Sequence, residues 1–579
     1  MFLLRWLWKN MEGARGLYIC GMLFTIMSQS MYIITPRITS EITDTFIVNE
    51  NAVANLEARS DYLIGLLIAM VGFTVLRGAL EYGSTMMYEH SSQSMIYKIR
   101  NVVFKNIEDQ DAKFYDYYRT GDIMTRISGD LDMVRHSIAW ILRAVLECVV
   151  MFIASLIFFF SIDWLMALCL SGLTPVILLI TVAFRKKVAP KYEIQREKLS
   201  NLNTRAEENI SGNRVVKAFA REDHEIERFD ELSRDFRDAS KDAAFTWLKF
   251  FPFLEACASS LSVVMLVCGG LFVILGRLTF GEYIAFSGLV WTMSNPMRQL
   301  GNIVNDWQRF TASANKIIEI YYGRPRIATR EDAVDMPRRF KGKVEFDKVT
   351  LKFNGETIID DVSFTVDPGE TVAVMGETGA GKTLLTELIP RIYDVNSGAV
   401  RVDGVDVRML KLDQLRQNIG VATQDVFLFS DTIDGNISYG DTEMPEDDVV
   451  KVAELADADG FVRRLSDGYD TIVGERGVGL SGGQKQRISL ARALAVKPAI
   501  LILDDTTSAV DLETEKHIQH SLKNLEFDCT KIIVAQRIST AMYADKILVL
   551  KNGKILEQGS HKELIARNGY YKEVYDLQK

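Results

Sequence analysis

The run Gly376-Glu377-Thr378-Gly379-Ala380-Gly381-Lys382-Thr383 spaces glycines, a lysine and a threonine as a phosphate-gripping loop requires. Backbone N–H groups from Gly379 to Thr383 would cradle anions at a helix N-terminus, where the helix dipole favours negative charge. Lys382 would reach the β- and γ-phosphates of a nucleotide, and the Thr383 hydroxyl would join a Mg²⁺ shell. Alone, the run fits many nucleotide hydrolases. Downstream lie Leu480-Ser481-Gly482-Gly483-Gln484 and an apolar stretch ending in Asp504-Asp505.

The elements that must position these residues are legible around them. Strand-like Thr371-Val372-Ala373-Val374-Met375 runs straight into the glycines and helix formers follow Thr383, the order the loop needs. Ile500-Leu501-Ile502-Leu503 reads as a strand that delivers Asp504. Pro325, Pro337 and a charged stretch mark a boundary before strand-like Lys343-Val344-Glu345-Phe346. The expected domains are an interfacial helix (1–15), a transmembrane domain (16–322), a linker (323–341) and a nucleotide-binding domain (342–579).

At 579 residues the chain is too long for one ordinary core. Mean hydropathy is only slightly positive, but windows of about 20 residues reveal membrane spans that the average hides. Six are expected: 16–38, 62–80, 138–161, 165–184, 250–275 and 283–303. The first lacks the short apolar core and cleavage site of a signal peptide and is read as a retained helix. Segments 81–136 and 185–245 carry Lys98, Arg100, Lys105, Arg126, Arg135, Lys186, Lys187, Lys191 and Arg196, whereas the turn Ile162-Asp163 has no basic residue. Both basic segments, and hence both termini, are expected in the cytoplasm. Arg5, Lys9 and Arg15 among Trp6, Leu7 and Trp8 suit an amphipathic helix at the bilayer surface. A net charge of -9 argues against a nucleic-acid partner, and the six cysteines show no metal or disulfide spacing.

Charges inside spans are costly and face a bundle interior or an aqueous cavity. Arg143 and Glu147 share one helix face, and Arg77, Glu255 and Arg298 fall at similar depths. Together with Trp291, Met293, Asn295 and Met297 they are candidates for lining an inward-facing substrate cavity. An internal Arg143 to Glu147 pair with snorkelling neighbours is an equal alternative.

The chain resembles bacterial ABC-superfamily exporters, half-transporters with six spans fused ahead of one nucleotide-binding domain. The likeness rests on the phosphate loop, the Leu480 to Gln484 signature, Thr120-Gly121-Asp122 to Asp130, Ser211-Gly212 to Glu222, and Pro296-Met297-Arg298-Gln299-Leu300-Gly301-Asn302, and covers nearly the whole chain. It implies an α-helical membrane domain with long cytoplasmic extensions followed by an α/β P-loop ATPase domain, using ATP and Mg²⁺. Segments near 115–119 and 218–225 become coupling helices. Phe353 becomes the adenine-stacking aromatic, Gln424 the residue linking the catalytic core to the helical subdomain, and Asp504 the Mg²⁺ carboxylate beside Thr383 and Gln424. Ser508-Ala509-Val510-Asp511 would lie at the interface between paired cassettes.

Two positions depart from the family pattern. Asp505 stands where the hydrolytic base is normally Glu, and Gln536 where the switch residue is normally His. An Asp carboxylate stops roughly 1 Å short of the Glu position, and positioning or general-base losses of that kind are each worth about 10²-fold. Gln can donate a hydrogen bond but cannot carry the charge of an imidazolium. Ser481 and Gly483 are intact. The resemblance therefore extends to the degenerate-site subunit of heterodimeric multidrug exporters of the bacterial cytoplasmic membrane. Its partner would be a half-transporter with Glu and His at these positions and a modified signature, and its cargo a small amphipathic compound. A nucleotide-gated channel and a homodimeric lipid or peptide exporter are the alternatives.

Overall fold

The computed structural model describes residues 2–48, 59–353, 355–474, 477–506 and 510–578. Two compact units emerge: Met1–Glu108 with Thr120–Gly323, and Asp109–Arg119 with Arg324–Lys579.

The first unit is helical. Helix Phe2–Asn10 buries Trp6 and Leu7 and leaves Phe2, Leu4 and Trp8 exposed. Among the described residues, five helical runs are long and apolar enough to cross a membrane: Arg15–Ile47, Ser60–Glu108, Thr120–Ile162, Trp164–Ser211 and Glu222–Ile274. The sixth expected window is helical too, but it falls on Phe280–Leu289 and Trp291–Tyr321 and includes Thr292, Ser294, Asn295, Gln299 and Asn302, so its apolar character is diluted. The long helices outlast their apolar windows because charged residues continue the helical pattern; Lys191 pairs with Asp242 and Lys198 with Asp235, each at 2.7 Å, between neighbouring helices.

Turns in this unit have definite causes. Asp163 caps helix Trp164–Ser211 by accepting the Met166 N–H, and its other oxygen meets Arg277 at 2.6 Å. Thr279 and Glu282 form a capping box at the start of Phe280–Leu289. Asp44 accepts the Gly281 N–H at 2.7 Å and the Thr279 hydroxyl at 2.6 Å. A side chain on Gly281 would fall onto the Ser40 carbonyl and Asp44, so only glycine permits this approach. Phe159 stacks on Phe286 within a core that also holds Met166, Leu170 and Met293.

Among the described residues, the second unit holds two sheets. An antiparallel sheet runs β2-β1-β4-β5, with β1 Val344–Phe353, β2 Glu356–Val366, β4 Ser397–Val402 and β5 Val405–Asp406. The larger sheet runs β10-β9-β3-β8-β7-β6, parallel except for β10. Its strands are β3 Thr371–Gly376, β6 Ile419–Ala422, β7 Ile500–Asp504, β8 Thr530–Val534, β9 Lys546–Lys551 and β10 Lys554–Gly559. Every residue of β7 is buried, as a strand covered on both faces must be.

Helix Ala112–Tyr117 belongs to this unit although the chain reaches it between two membrane-unit helices. Asp111 accepts the Phe114 N–H as its cap and the Arg326 N–H at 3.0 Å. The Tyr393 hydroxyl donates to Asp116 at 3.0 Å. Segment 218–225 lies in the first unit, at the turn into helix Glu222–Val264, where Arg205 pairs with Glu225. Ile210, Val215, Phe219 and Ile226 are exposed around this tip.

Candidate functional site

The phosphate loop leaves β3 where the parallel strands end. Gly376 closes β3 so near β9 that a side chain would strike the Leu550 carbonyl, and Gly381, with φ +92°, precedes helix Lys382–Glu387. Lys382 is buried and its ammonium donates to the carbonyls of Gly376 (2.9 Å) and Glu377 (2.8 Å). The Thr383 hydroxyl donates to Asp504 at 2.7 Å. Burial pushes the Lys382 ammonium below its ordinary range, against the pull of Asp504 and Asp505. Burial likewise pushes the Asp504 carboxyl up, opposed by Thr383 and Lys382.

These residues fit a magnesium–nucleotide pair. Hard oxygens from one hydroxyl and one carboxylate suit Mg²⁺, which takes few protein ligands and fills its shell with phosphate and water. Burial disfavours the charged forms of both the lysine and the carboxyl, a cost that phosphate beside Lys382 and a cation beside Asp504 would relieve. Bound Mg²⁺ would supply charge neutralisation at the phosphates, with Thr383 and Asp504 orienting it.

Asp505 leaves β7 in a left-handed conformation, φ +49°, its N–H bonded to Val534. Aspartate tolerates this region better than most residues. Gln536 follows β8, and its side-chain nitrogen donates to the Asp505 carboxylate at 3.1 Å. Gln424 is exposed in the loop after β6, and among the described residues no hydrogen bond ties it to Thr383 or Asp504. Phe353 is half-buried at the end of β1 and meets Tyr393 edge to face, with centroids 5.7 Å apart.

The signature residues stand at a different helix end. Ser481 caps helix Gly482–Ala495 and forms a reciprocal box with Gln484, while Leu480 anchors the run against the neighbouring core. This leaves the N–H groups of Gly482 and Gly483 at a positive helix end, a geometry that suits an anion. Asp511 caps helix Leu512–Lys523 through the N–H groups of Glu513 and Thr514. Ser508 and Ala509, like Glu475 and Arg476 ahead of the signature, lie outside the described residues.

In the membrane unit the charges assemble into pairs. Arg143 is 8% exposed and meets Glu147 and the Thr85 hydroxyl, each at 2.5 Å, with Glu81 at 3.8 Å. Arg298 pairs with Glu255 at 3.1 Å. Arg77 lies over Tyr32 instead, 4.3 Å from the ring centroid, and Tyr32 meets Trp291. Met293 departs from the cavity expectation: it is 0% exposed, packed in the core with Phe286 and Leu289. Its position on the inner face of its helix turns it toward protein. Asn295 is half-buried, and the Met297 side chain lies outside the described residues.

Several contacts here leave no mark in the sequence. Tyr393 carries no motif, yet joins Phe353 to Asp116. Glu377, a variable position of the phosphate loop, accepts the Tyr570 hydroxyl at 2.9 Å. Both partnerships are long-range and leave no local periodicity to read.

A helical membrane unit joined to a parallel-sheet phosphate-loop unit, with a separate glycine-rich helix cap, defines a membrane transport ATPase. Residues 18–297 match the family described as ABC transporter transmembrane region, and residues 359–508 the family described as ABC transporter. The chain belongs to the ABC transporter family, as a half-transporter of the exporter kind that binds ATP. It is 36% identical over 520 residues to YknU of Bacillus subtilis, an uncharacterized ABC transporter ATP-binding protein, covering 88% of each chain. Identity is 34% to an ATP-dependent lipid A-core flippase of Desulfotalea psychrophila (89% and 90% covered). It is 32% to the putative multidrug export ATP-binding/permease protein YgaD of Bacillus subtilis (96% of each). A bacterial Atm1-family ABC exporter solved with ATP bound superposes with a TM-score of 0.78 at 25% identity, over 99% of this chain and 98% of that one.

Proposed function

We propose that this chain is one half of a heterodimeric exporter of amphipathic or hydrophobic compounds, whose own nucleotide site binds ATP firmly and hydrolyses it slowly. The observation that carries the reading is the Gln536 to Asp505 hydrogen bond: the shortened acid is held by an uncharged amide, while Lys382, Thr383 and Asp504 keep a complete nucleotide grip. Its signature, Leu480 to Gln484, serves the partner's site. There it completes an ATP pocket facing a phosphate loop, with Asp511 at the interface. Phe353 stacks on adenine, and Gln424 reaches the Mg²⁺ shell when the cassettes close.

Both termini face the cytoplasm, consistent with the basic segments. The exposed apolar tip around Phe219 and Ile226 fits contact with a partner's ATPase unit. ATP binding closes the cassettes and opens the bundle outward; hydrolysis at the partner's site resets it. Relatives named for multidrug export support the cargo class. Relatives named lipid A-core flippases support a second reading, a homodimer that moves lipid.

The deciding experiment is the native mass of the complex purified from its own host, followed by ATP-driven accumulation in inverted vesicles. A second, non-identical chain together with uphill drug accumulation is expected. A dimer of this chain alone would overturn the heterodimer, and nucleotide-dependent flux without accumulation would make the protein a gated channel.

A further inference from the structure

Helix Tyr570–Gln578 touches both halves of the nucleotide site. At its end, the Gln578 amide nitrogen donates to the Gln536 carbonyl at 3.0 Å, and its oxygen accepts the Ile538 N–H at 2.8 Å. One planar side chain thus takes an acceptor and a donor of the same short backbone segment, as a neighbouring strand would. At the helix start, the Tyr570 hydroxyl donates to Glu377 of the phosphate loop at 2.9 Å. The Lys551 ammonium lies 4.6 Å from the Tyr570 ring centroid and 3.8 Å from Glu377.

The helix itself is well seated. Glu557 accepts the N–H groups of Tyr570 (2.8 Å) and Tyr571 (3.1 Å), and Tyr571 is 1% exposed with its hydroxyl 2.7 Å from His561. Phosphate loop, switch segment and helix together line a cavity of about 230 Å³, with Gly376, Thr378, Gln536, Tyr570 and Gln578 in its wall. The opposite side of the switch segment is held by Glu515, which is 2% exposed, accepts the Thr540 hydroxyl at 2.5 Å and faces Arg537 at 3.8 Å.

We propose that Gln578 is a positioning residue for the switch segment, and that helix Tyr570–Gln578 straps that segment to the phosphate loop. The Gln536 side chain reaches Asp505 only while its backbone stays where Gln578 holds it. Glutamine is required because the task needs a donor and an acceptor on one group. Glutamate would keep the bond from Ile538 and place a negative oxygen against the Gln536 carbonyl. This inference rests on the reading of the site as a nucleotide site.

The test uses the full-length complex and titrated photolabelling of this chain with 8-azido-ATP, alongside thermal unfolding. Lys382→Ala should abolish labelling; retained labelling would overturn the nucleotide-site reading itself. Gln578→Ala and Gln578→Glu should each weaken labelling about threefold to tenfold, the worth of one or two hydrogen bonds. In a Gln536→Ala background, Gln578→Ala should add little to that loss. Unchanged labelling in Gln578→Ala, with Lys382→Ala still inactive, would overturn the strap alone. So would a Gln578→Ala loss that adds in full to that of Gln536→Ala, because a residue acting only through general stability gives that result.

Discussion

Gln536 and Asp505 are hydrogen-bonded to each other at 3.1 Å, amide nitrogen to carboxylate oxygen. A histidine in place of the glutamine could exchange a proton with its neighbours; an amide can only hold. A longer acid in place of Asp505 would extend beyond this contact. The pair therefore ties the acid back toward β8.

Restoring both residues should restore hydrolysis at this site. In a complex whose partner site is silenced by Ser481→Ala, adding Asp505→Glu with Gln536→His should raise ATP turnover by about 10²-fold. Phosphate release measures it. No gain would place the lesion elsewhere, for instance in the partner's signature.

Tyr393 connects two parts of the ATPase unit, its ring against Phe353 and its hydroxyl on Asp116. Burial and the Asp116 carboxylate hold that hydroxyl protonated well above the ordinary tyrosine range. Tyr393→Phe keeps the ring and loses the bond. ATP affinity should stay within about twofold while transport falls, since a single hydrogen bond to a charged group is worth about 1.5–3 kcal/mol. Equal loss of binding and transport in vesicles would deny the link.

Glu387 gives a pH signature. Burial, then the charges of Asp504 and Asp116, raise its carboxyl to about 6 from an ordinary 4.5. Between those values the folded protein keeps a proton that the unfolded chain has released, so stability falls as pH rises through that window and the penalty is complete above it. Glu387→Gln should flatten the fall and leave the protein more stable at pH 7.5. The gain should be no more than about 1 kcal/mol, because the group is half-buried and screened. Thermal unfolding from pH 4 to 8 measures it.

The Arg143 cluster separates packing from cargo recognition. Glu147→Gln keeps the shape and leaves Arg143 with Thr85 and a more distant Glu81. Transport of cationic compounds should weaken and stability should drop by roughly 1–3 kcal/mol. A stability loss with unchanged transport kinetics would make the cluster a structural pair. Glu255→Gln, opposite Arg298, is the parallel case.

What could be read beforehand followed the range of the physics. The phosphate loop and the buried strand Ile500 to Leu503 are local patterns, so their residue order was enough. Arg143 and Glu147 were legible because one helical turn separates them. The sixth span was expected as a single window, whereas Thr292, Ser294 and Asn302 interrupt its apolar run and Val290 divides it from Phe280–Leu289. Met293 was misplaced because its type says nothing about which helix face meets protein. Tyr393, Gln578 and Glu515 act across the fold, and nothing near them in the chain marks them.

The Asp109–Arg119 segment also constrains how this protein can be made. It leaves the ribosome long before the strands it will rest on, so the Asp111 to Arg326 and Asp116 to Tyr393 contacts close only late in synthesis. Until then the loop must wait without its platform. A fragment expressed from Arg324 onward would bare the surface around Tyr393 and Ala112's packing site, and its solubility and nucleotide affinity would describe a protein that the cell never assembles.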